Sequence, residues 1–383
     1  MAAIYLPRTI RIGGGVLNEL PEVLAAAGLS RPLIVTDAWM VSSGLLARVE
    51  GLLTSAGISA RAFTEVVPDP TVASIEAGCG FLAEGDHDCV IGLGGGSPID
   101  SAKMIAVKRD RTIPQLKAPH QEDAPGLPII AIPTTAGTGS EATRFTVITD
   151  AETDEKMLCA GLAYLPQIAI ADYELTLSKP ARLTADTGID SLVHAVEAFV
   201  SKRANPFADA MALSAMRLIW PNLPRACADP NDRPAREALM LGALQAGIAF
   251  SNSSVALVHG MSRPIGAHFH VSHGLSNAML MPVVTAWSAP AALPRYAQCA
   301  RAMGLADDAE SDQSAVGRLV EALHQINADL KVPSPRDYGI DQARWDELLP
   351  LMAQQALGSG SPANNPRIAD AAEIEALYRQ AWS

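Results

Sequence analysis

The sequence lacks several features on which whole classes of protein depend. Its 29 Lys and Arg residues are outnumbered by 41 Asp and Glu residues, which leaves a net charge of −12 and no basic tract. Nonspecific affinity for a phosphate backbone comes from clustered Lys and Arg, so we expect no nucleic-acid partner. No window offers the roughly 18 consecutive apolar residues of a membrane span, and the start "MAAIYLPRTIRIGGG" does not resemble a signal peptide. We therefore expect a cytoplasmic protein without a membrane partner.

Cysteine is also scarce. The chain has five cysteines, which are widely spaced, odd in number and without a C-x-x-C pair. Neither a disulfide framework nor a cysteine zinc site is indicated. This usage suits a reducing compartment.

The apolar pattern of the first half predicts an α/β domain. The chain has 383 residues, enough for two domains. Short apolar runs such as "PLIVTD", "CVIGLGGG" and "LPIIAIPTT" alternate with helical segments, which is typical of a parallel sheet whose ligands bind beyond the carboxyl ends of the strands. From about residue 182 the apolar positions fall at helical spacing. We predict an α/β domain over residues 1–180 and a helical domain over residues 181–383, with the boundary at Pro180.

A glycine turn is the first candidate for a phosphate site. In "CVIGLGGGSPIDSAKMIAV" a strand, a turn and a helix follow one another, and Gly94, Gly95 and Gly96 would let the backbone approach a ligand closely. Ser97 is predicted to cap the helix, whose free amides and dipole favour an anion. The motif is neither a Walker A loop nor G-x-G-x-x-G, and a simple tight turn is an alternative interpretation.

A second turn strengthens the interpretation. "IPTTAGTGSEAT" also follows an apolar strand and places Thr134, Thr135, Thr138 and Ser140 around two glycines, as donors to phosphate or ribose oxygens. Two such turns indicate a long, phosphate-bearing cofactor. Asp37 would accept from a ribose diol and disfavour a 2′-phosphate, although it is equally interpreted as a helix N-cap.

Candidate metal ligands lie in the second half. A predicted helix in "LTADTGIDSLVHAVEAFVS" places Asp190, His194, Glu197 and Ser201 on one polar stripe. An alternative is that this stripe is the solvated face of an amphipathic helix. His259 and His273 lie in a separate apolar region. If they converge with Asp190 and His194, one carboxylate and three imidazoles suit Fe²⁺ or Zn²⁺ better than Mg²⁺.

The motifs together resemble a known family. "GGGSPIDSAK", "PTTAGTGSEAT", "TGIDSLVHAVEAFVS" and "HGMSRPIGAHFHVSHGLSNAMLMP" are similar, in order and nearly end to end, to the signatures of the iron-containing (group III) alcohol dehydrogenases. The resemblance implies a Rossmann-like dinucleotide-binding domain followed by an all-α domain, as in dehydroquinate synthase, with the active site between them. It implies a homo-oligomer, either a homodimer or a larger assembly, that interconverts an alcohol with an aldehyde or ketone.

The resemblance also assigns roles to residues. It implies that Asp190, His194, His259 and His273 bind Fe²⁺, or Zn²⁺. The positions that it implies for NAD are Asp37, Asp69, Gly95, Gly96, Ser97, Asp100, Thr134, Thr135, Thr138, Thr143 and Lys156. Asp69 stands where Asn is frequent in the family. The bound ion would favour loss of the alcohol proton while hydride leaves for the nicotinamide.

Arg263, near the metal motif, departs from the family pattern, and this bears on the role of His270. Arg263 stands where many relatives carry a second histidine. Because an arginine cannot relay protons at neutral pH but can bind a carboxylate with two hydrogen bonds, we hypothesise that it favours a substrate with an anionic end. Packing against a helix or the cofactor is an alternative. His270 is then the candidate proton relay, with a core histidine as the alternative.

Other functions are consistent with parts of the pattern. Glycerol dehydrogenases and other polyol enzymes, dehydroquinate synthase and maleylacetate reductases share the architecture, but they generally hold the metal with fewer histidines or lack the full set. A binding protein that stores metal or senses NAD without catalysis is a further alternative. The sequence does not identify the alcohol, because specificity in an apolar site depends on its shape.

Overall fold

The computed structural model describes residues 2–153 and 155–383. The chain divides into two compact units, one of residues 5–178 and one of residues 179–383 together with the first residues of the chain. Each unit is described by itself.

The first unit contains the strands of the protein and six helices. Among the described residues the strands are β1 (Thr9–Ile12), β2 (Pro32–Asp37), β3 (Arg61–Val66), β4 (Cys89–Gly94), β5 (Ile129–Pro133), β6 (Phe145–Asp150), β7 (Glu155–Ala160) and β8 (Ile168–Ala171). The helices are α1 (Leu20–Ala26), α2 (Ala38–Ser42), α3 (Leu45–Ser55), α4 (Val72–Ala83), α5 (Gly96–Val107) and α6 (Ile113–Leu116). Short 3-10 turns cover Val16–Glu19, Ser140–Ala142, Leu162–Tyr164 and Tyr173–Thr176.

Six of these strands form the predicted parallel sheet. Its order is β1-β8-β5-β4-β2-β3, and every neighbouring pair is parallel. Ile34, Ile91 and Ile130 pack into the core on one face, whereas Leu33 and Val90 pack into the core on the other. Both faces are covered, which is why the central strands are continuous apolar runs. The carboxyl ends of β4 and β5, where the two predicted turns begin, are adjacent in register.

The sequence pattern did not predict all of the strands. The edge strand β1 was missed, and so was the antiparallel hairpin of β6 and β7. β1 has only four residues, two of them exposed. β6 alternates buried and half-buried side chains in a polar context, so neither segment shows the apolar run typical of the central strands.

The second unit is helical throughout, as predicted. Its helices are α7 (Ala181–Val200), α8 (Pro206–Ala228), α9 (Arg233–Asn252), α10 (Leu257–Phe269), α11 (His273–Ser288), α12 (Leu293–Ala302), α13 (Asp312–Asp329), α14 (Pro335–Tyr338), α15 (Gln342–Gly358) and α16 (Ala371–Ala381), with 3-10 turns at Ala289–Ala292 and Ser361–Asn364. Helix α7 packs against α8, α9 and α11 and is buried on nearly all sides. Within the described part of the chain, no single helix is long and apolar enough to span a membrane, and α9 with α10 passes that test only as a pair bent by 105°.

Candidate metal centre and nucleotide loops

The polar stripe of α7 is buried. Asp190, His194, Glu197 and Ser201 are exposed by only 2%, 4%, 3% and 4% of their surface. The alternative of a solvated amphipathic face is therefore wrong. Four polar groups on a buried helix need partners, because an unpaired polar group in an apolar interior is costly.

The structure brings the four candidate ligands together. One ligand atom each from Asp190, His194, His259 and His273 lies within 4.8 Å of every other. The distances from Asp190 Oδ1 to the Nε2 atoms of His194, His259 and His273 are 3.9, 3.5 and 3.7 Å. Ligand atoms that share an ion at about 2.0–2.2 Å lie roughly 3–4 Å from one another, so these separations fit one ion.

The donor set fits a borderline divalent ion. Three imidazole nitrogens and one carboxylate oxygen suit Fe²⁺ or Zn²⁺, whereas Mg²⁺ prefers oxygen alone. Burial by itself would raise the pKa of the Asp190 carboxyl, but His194, His273 and His259 together hold that pKa well below its usual range. The carboxylate is thus ionised, which is the form that binds a metal ion.

Glu197 fixes the orientation of His259. The Nδ1–H of His259 donates to Glu197 Oε2 at 2.7 Å, since a carboxylate can only accept. Its Nε2 is left as the acceptor, and it faces the other ligands. Glu197 also accepts from the backbone amides of Ala256 and Val258, at 2.8 and 2.6 Å. Phe250 stacks on His194 with ring centroids 4.3 Å apart, which fixes a second ligand ring.

Gly274 allows α11 to approach α7. A Cβ at position 274 would lie 2.4 Å from the carbonyl oxygen of Asp186 and 3.4 Å from Asp190 Cβ. Only glycine fits, and its neighbour His273 is thereby brought to Asp190. One turn later, Asn277 Nδ2 donates to Asp190 Oδ1 at 2.6 Å, and it lies 3.2 and 3.3 Å from the Nε2 atoms of His259 and His273.

The two glycine-containing turns lie against each other. A Cβ on Gly96 would meet Thr138 Cγ2 at 3.0 Å, and one on Gly95 would lie 3.6 Å from Thr135 Oγ1. The Thr134 amide donates to the Gly94 carbonyl at 2.8 Å. Helix α5 begins at Gly96 with Gly95 as its N-cap, and no side chain caps it. The prediction that Ser97 caps this helix is wrong, because the N-cap position is Gly95, two residues earlier.

Two predicted cofactor residues are engaged in a buried network around Lys103. Lys103 Nζ donates to Thr143 Oγ1 and Thr143 O at 3.0 and 2.9 Å, and to Phe145 O at 2.7 Å. Asp100 accepts from Ser140 Oγ at 2.5 Å and from the Val147 amide at 3.0 Å. Burial lowers the pKa of Lys103 to about 8. The network ties α5 to the second turn.

The remaining nucleotide candidates lie at the ends of strands. Asp37 ends β2, and its Oδ1 accepts from the Met40 amide at 3.0 Å as the N-cap of α2. Asp69 lies in a loop with a positive φ of 49°, and Lys156 Nζ donates to its Oδ1 at 2.8 Å. Asp37 is half-buried and Asp69 is exposed.

Arg263 lies on α10, and His270 follows directly after this helix. His270 is exposed and caps the C-terminus of the helix in the left-handed region, with φ 55°. Arg263 is half-buried, one helical turn after His259. His268 is bound to another helix, with its Nε2 2.8 Å from Gln355 Oε1.

Sequence reasoning missed several residues of the site. Glu197 was placed on the polar stripe without a role, although its spacing three residues after His194 was the available signal. Asn277 lies four residues after His273 on the same helix face. Nothing local indicated that Lys103 binds the second turn, because its partners are about forty residues away.

Comparisons with known proteins agree with this geometry. The sequence profile of the iron-containing alcohol dehydrogenases matches residues 7–173, and that of the C-terminal part of the same family matches residues 184–382. The chain is 35% identical to lactaldehyde reductase of Escherichia coli (strain K12) over 99% of both chains, and 35% identical to NAD-dependent methanol dehydrogenase of Bacillus methanolicus over 100% of both. A crystal structure of 1,3-propanediol oxidoreductase superposes with a TM-score of 0.95 at 34% identity, with all of both chains covered.

These matches span the α/β unit, the helical unit and the four converging ligands. The chain belongs to the iron-containing alcohol dehydrogenase family, and it is an NAD-linked, iron-using oxidoreductase that acts on CH–OH groups. The resemblance drawn from the motifs is confirmed. The polyol-dehydrogenase and maleylacetate-reductase alternatives are not favoured.

Proposed function

We propose that Asp190, His194, His259 and His273 hold the ion and that the reacting oxygen of the substrate binds beside them. The observation that carries this proposal is the convergence of one ionised carboxylate and three imidazoles on a buried helix face. Their chemistry suits Fe²⁺, and it suits Zn²⁺ as well.

The protein supplies the environment for the reaction. When bound, the ion supplies Lewis acidity toward the substrate oxygen and NAD accepts or returns the hydride. Glu197 keeps Nε2 of His259 free to act as a ligand, and the Phe250 ring holds His194 in place. Low exposure of Asp190, His194 and His259 keeps the local dielectric low, so charge on the substrate oxygen is stabilised more strongly than in water.

We infer that NAD lies along the ends of the parallel strands. The amides of Gly95, Gly96 and Ser97 at the start of α5 would bind its pyrophosphate, with Thr134, Thr135 and Thr138 beside them. The close approach of the two turns supports this assignment. Asp37 would accept from the adenosine ribose, and Asp69 with Lys156 would contact the cofactor as an ion pair. Asp100 and Thr143 would support the second turn through Ser140 and Lys103.

His270 is the proposed proton relay. It is exposed and adopts a left-handed backbone conformation that is uncommon for residues other than glycine and clusters at functional sites. Its position three residues before His273 places it beside the metal motif. Replacement by Gln should lower kcat more than it changes metal content, which a pH–rate profile with metal analysis would measure.

The central test is the loss of one ligand. Asp190→Ala should abolish both bound metal, measured by elemental analysis, and NADH production from a panel of short alcohols. The exposed Asp346→Ala on α15 is the matched control and should change neither. Wild-type metal content or activity in Asp190→Ala would exclude the assignment. Steady NADH production by the wild type excludes a pure binding protein.

We also propose a substrate class, a cellular location and an oligomeric state. The relatives are named for lactaldehyde, methanol and 1,3-propanediol, so we propose a small aliphatic alcohol and its aldehyde. Five free cysteines support a cytoplasmic location. We propose a homodimer that binds neither nucleic acid nor membrane, in keeping with the net charge of −12, and sedimentation analysis would test the assembly.

A further inference from the structure

We propose that Arg263 determines substrate specificity by binding an anionic group, such as a carboxylate, phosphonate or sulfonate, at the end of the substrate away from the reacting carbon. This inference rests on the proposed function, because it takes the reacting oxygen to lie at the four converging ligands. It names the class of substrate that the site selects.

Arg263 lies on the same helix face as a proposed metal ligand. His259 and Arg263 are four residues apart on α10, and residues at this spacing are neighbours on a helix surface. Glu197, which bonds His259, is the acidic group whose charge acts on Arg263. The guanidinium thus belongs to the surroundings of the metal centre.

Arg263 differs from the other buried and partly buried arginines of its unit in lacking a partner. The partly buried Arg295, Arg301 and Arg367 each contact a carboxylate, at 2.6, 2.9 and 2.9 Å. Across residues 2–153 and 155–383, Arg263 makes no hydrogen bond and no ion pair. Glu197 makes neither a hydrogen bond nor an ion pair with Arg263, and its carboxylate accepts instead from His259 and from the Ala256 and Val258 amides.

An unpaired, half-buried guanidinium is costly unless a ligand pairs with it. Burial lowers the pKa of Arg263, and the Glu197 charge opposes that shift, yet an arginine stays charged at neutral pH. Among the described residues, no Arg263 nitrogen is a fully buried atom without a hydrogen-bond partner. Because these nitrogens have no partner and are not fully buried, they are accessible to a ligand. The planar guanidinium can donate two parallel hydrogen bonds to two oxygens of one anion.

The helix also limits the length of the substrate. One helical turn separates the two residues, about 5.4 Å along the axis. A substrate whose oxygen lies near His259 and whose anion lies near Arg263 is therefore short. Aldehyde acids of roughly three to five carbons span such a distance.

The test compares matched neutral and anionic aldehydes in the metal-loaded enzyme. For wild type we expect a higher kcat/KM with 4-oxobutanoate than with butanal, and with 5-oxopentanoate than with pentanal, at saturating NADH. Arg263→Ala should lower the anionic-to-neutral ratio by about 10- to 100-fold, the usual effect of losing a hydrogen bond to a charged group. Arg263→Lys keeps the positive charge but cannot donate two parallel hydrogen bonds, so its anionic-to-neutral ratio should lie between those of wild type and Arg263→Ala. Arg217→Ala, an exposed arginine on α8, should leave the ratio unchanged.

Binding gives a readout that does not depend on turnover or on the variants folding. Succinamate should bind the wild-type enzyme–NAD complex in calorimetry, and butanamide, which carries a methyl group in place of the succinamate carboxylate, should bind at least tenfold more weakly. An unchanged substrate ratio in Arg263→Ala, or a raised KM for NADH alone, would show that the guanidinium serves packing or the cofactor and would overturn the inference. Wild-type turnover of butanal without preference for 4-oxobutanoate also overturns it while leaving the proposed function intact. Failure to reduce any aldehyde would instead contradict the proposed function.

Discussion

The Glu197 side chain bonds both the start of α10 and the proposed metal ligand His259. Helix α10 begins after Ala256, whose own side chain makes no capping hydrogen bond. The Glu197 carboxylate, from α7, accepts from the free amides there, where negative charge is favoured by the helix dipole. Because it also accepts from His259 Nδ1, it fixes the start of α10 and the ring of a ligand together.

Loss of this carboxylate should weaken metal binding. Glu197→Gln and Glu197→Ala should each lower metal affinity by about 10- to 100-fold, which is typical of losing a residue that hydrogen-bonds a metal-bound histidine. We expect the larger loss of affinity in Glu197→Ala. Competition with a chromophoric chelator at fixed pH measures the affinity. Glu321→Gln, exposed on α13, should bind metal as the wild type does. Equal affinity in all of these variants would contradict the role of Glu197.

Substitution of Asp37 can distinguish its two proposed roles, as a contact to the ribose of NAD and as the N-cap of α2. Asp37→Asn keeps an oxygen that can accept from Met40, so it should keep the stability of α2 while losing the charge that disfavours a 2′-phosphate. We expect its preference for NAD over NADP to fall, measured as the ratio of kcat/KM values. Asp37→Ala should show the same change and a loss of about 1 kcal/mol of stability. If Asp37→Asn retains the wild-type preference, Asp37 serves only as a cap.

At the scale of elements, the metal centre depends on the close packing of α7 and α11. The two helices carry three of the four ligands, and Gly274 lies where they meet. The carbonyl of Asp186 occupies the space that a side chain at position 274 would need. The separation of the helices, and with it the distance from His273 to Asp190, is therefore set by a residue that binds nothing.

A methyl group at this contact should disturb the site. Gly274→Ala should force α11 away from α7, lower the unfolding free energy by about 1–3 kcal/mol and weaken metal binding. Chemical denaturation and chelator competition measure the two effects. Gly317→Ala on α13 meets open space and should be neutral or stabilising by about 0.5–1 kcal/mol. Metal affinity that is unchanged in Gly274→Ala would show that the centre tolerates helix movement.

Metal binding should stabilise the whole molecule. The four proposed ligands come from α7, α10 and α11, so an ion would link α7 to two consecutive helices that lie much later in the chain. An ion present at 100 times its Kd adds about 2.7 kcal/mol to the stability of the native state. For a protein of this size the melting temperature should rise by about 3 °C, at roughly 1 °C per kcal/mol.

This prediction is checked by thermal unfolding with and without Fe²⁺ or Zn²⁺ after treatment with a chelator. Asp190→Ala should show no rise, because the ligand set is incomplete. A similar rise in both proteins would mean that the ion binds elsewhere.

Prediction from sequence succeeded where a pattern is local and failed where it is not. The central strands β2, β4 and β5 were predicted because both faces of the sheet are covered and their side chains are apolar without interruption. The hairpin of β6 and β7 was missed because it lies outside that sheet. The Ser97 cap was misplaced by two residues because the exact start of a helix depends on backbone geometry that residue type alone does not fix.

The sequence by itself determined the ordered motifs and the alternation of strand and helix in the first half, because each follows from residue type and spacing within one segment. The candidate metal ligands were implied by the resemblance of those motifs to a known family. Only the tertiary structure decided that the α7 stripe is buried, that Glu197 bonds His259 and Asn277 bonds Asp190, that Lys103 binds the second turn, and that Arg263 lacks a partner. These depend on contacts between residues tens of positions apart, and such contacts are fixed by how helices and strands pack rather than by any local pattern.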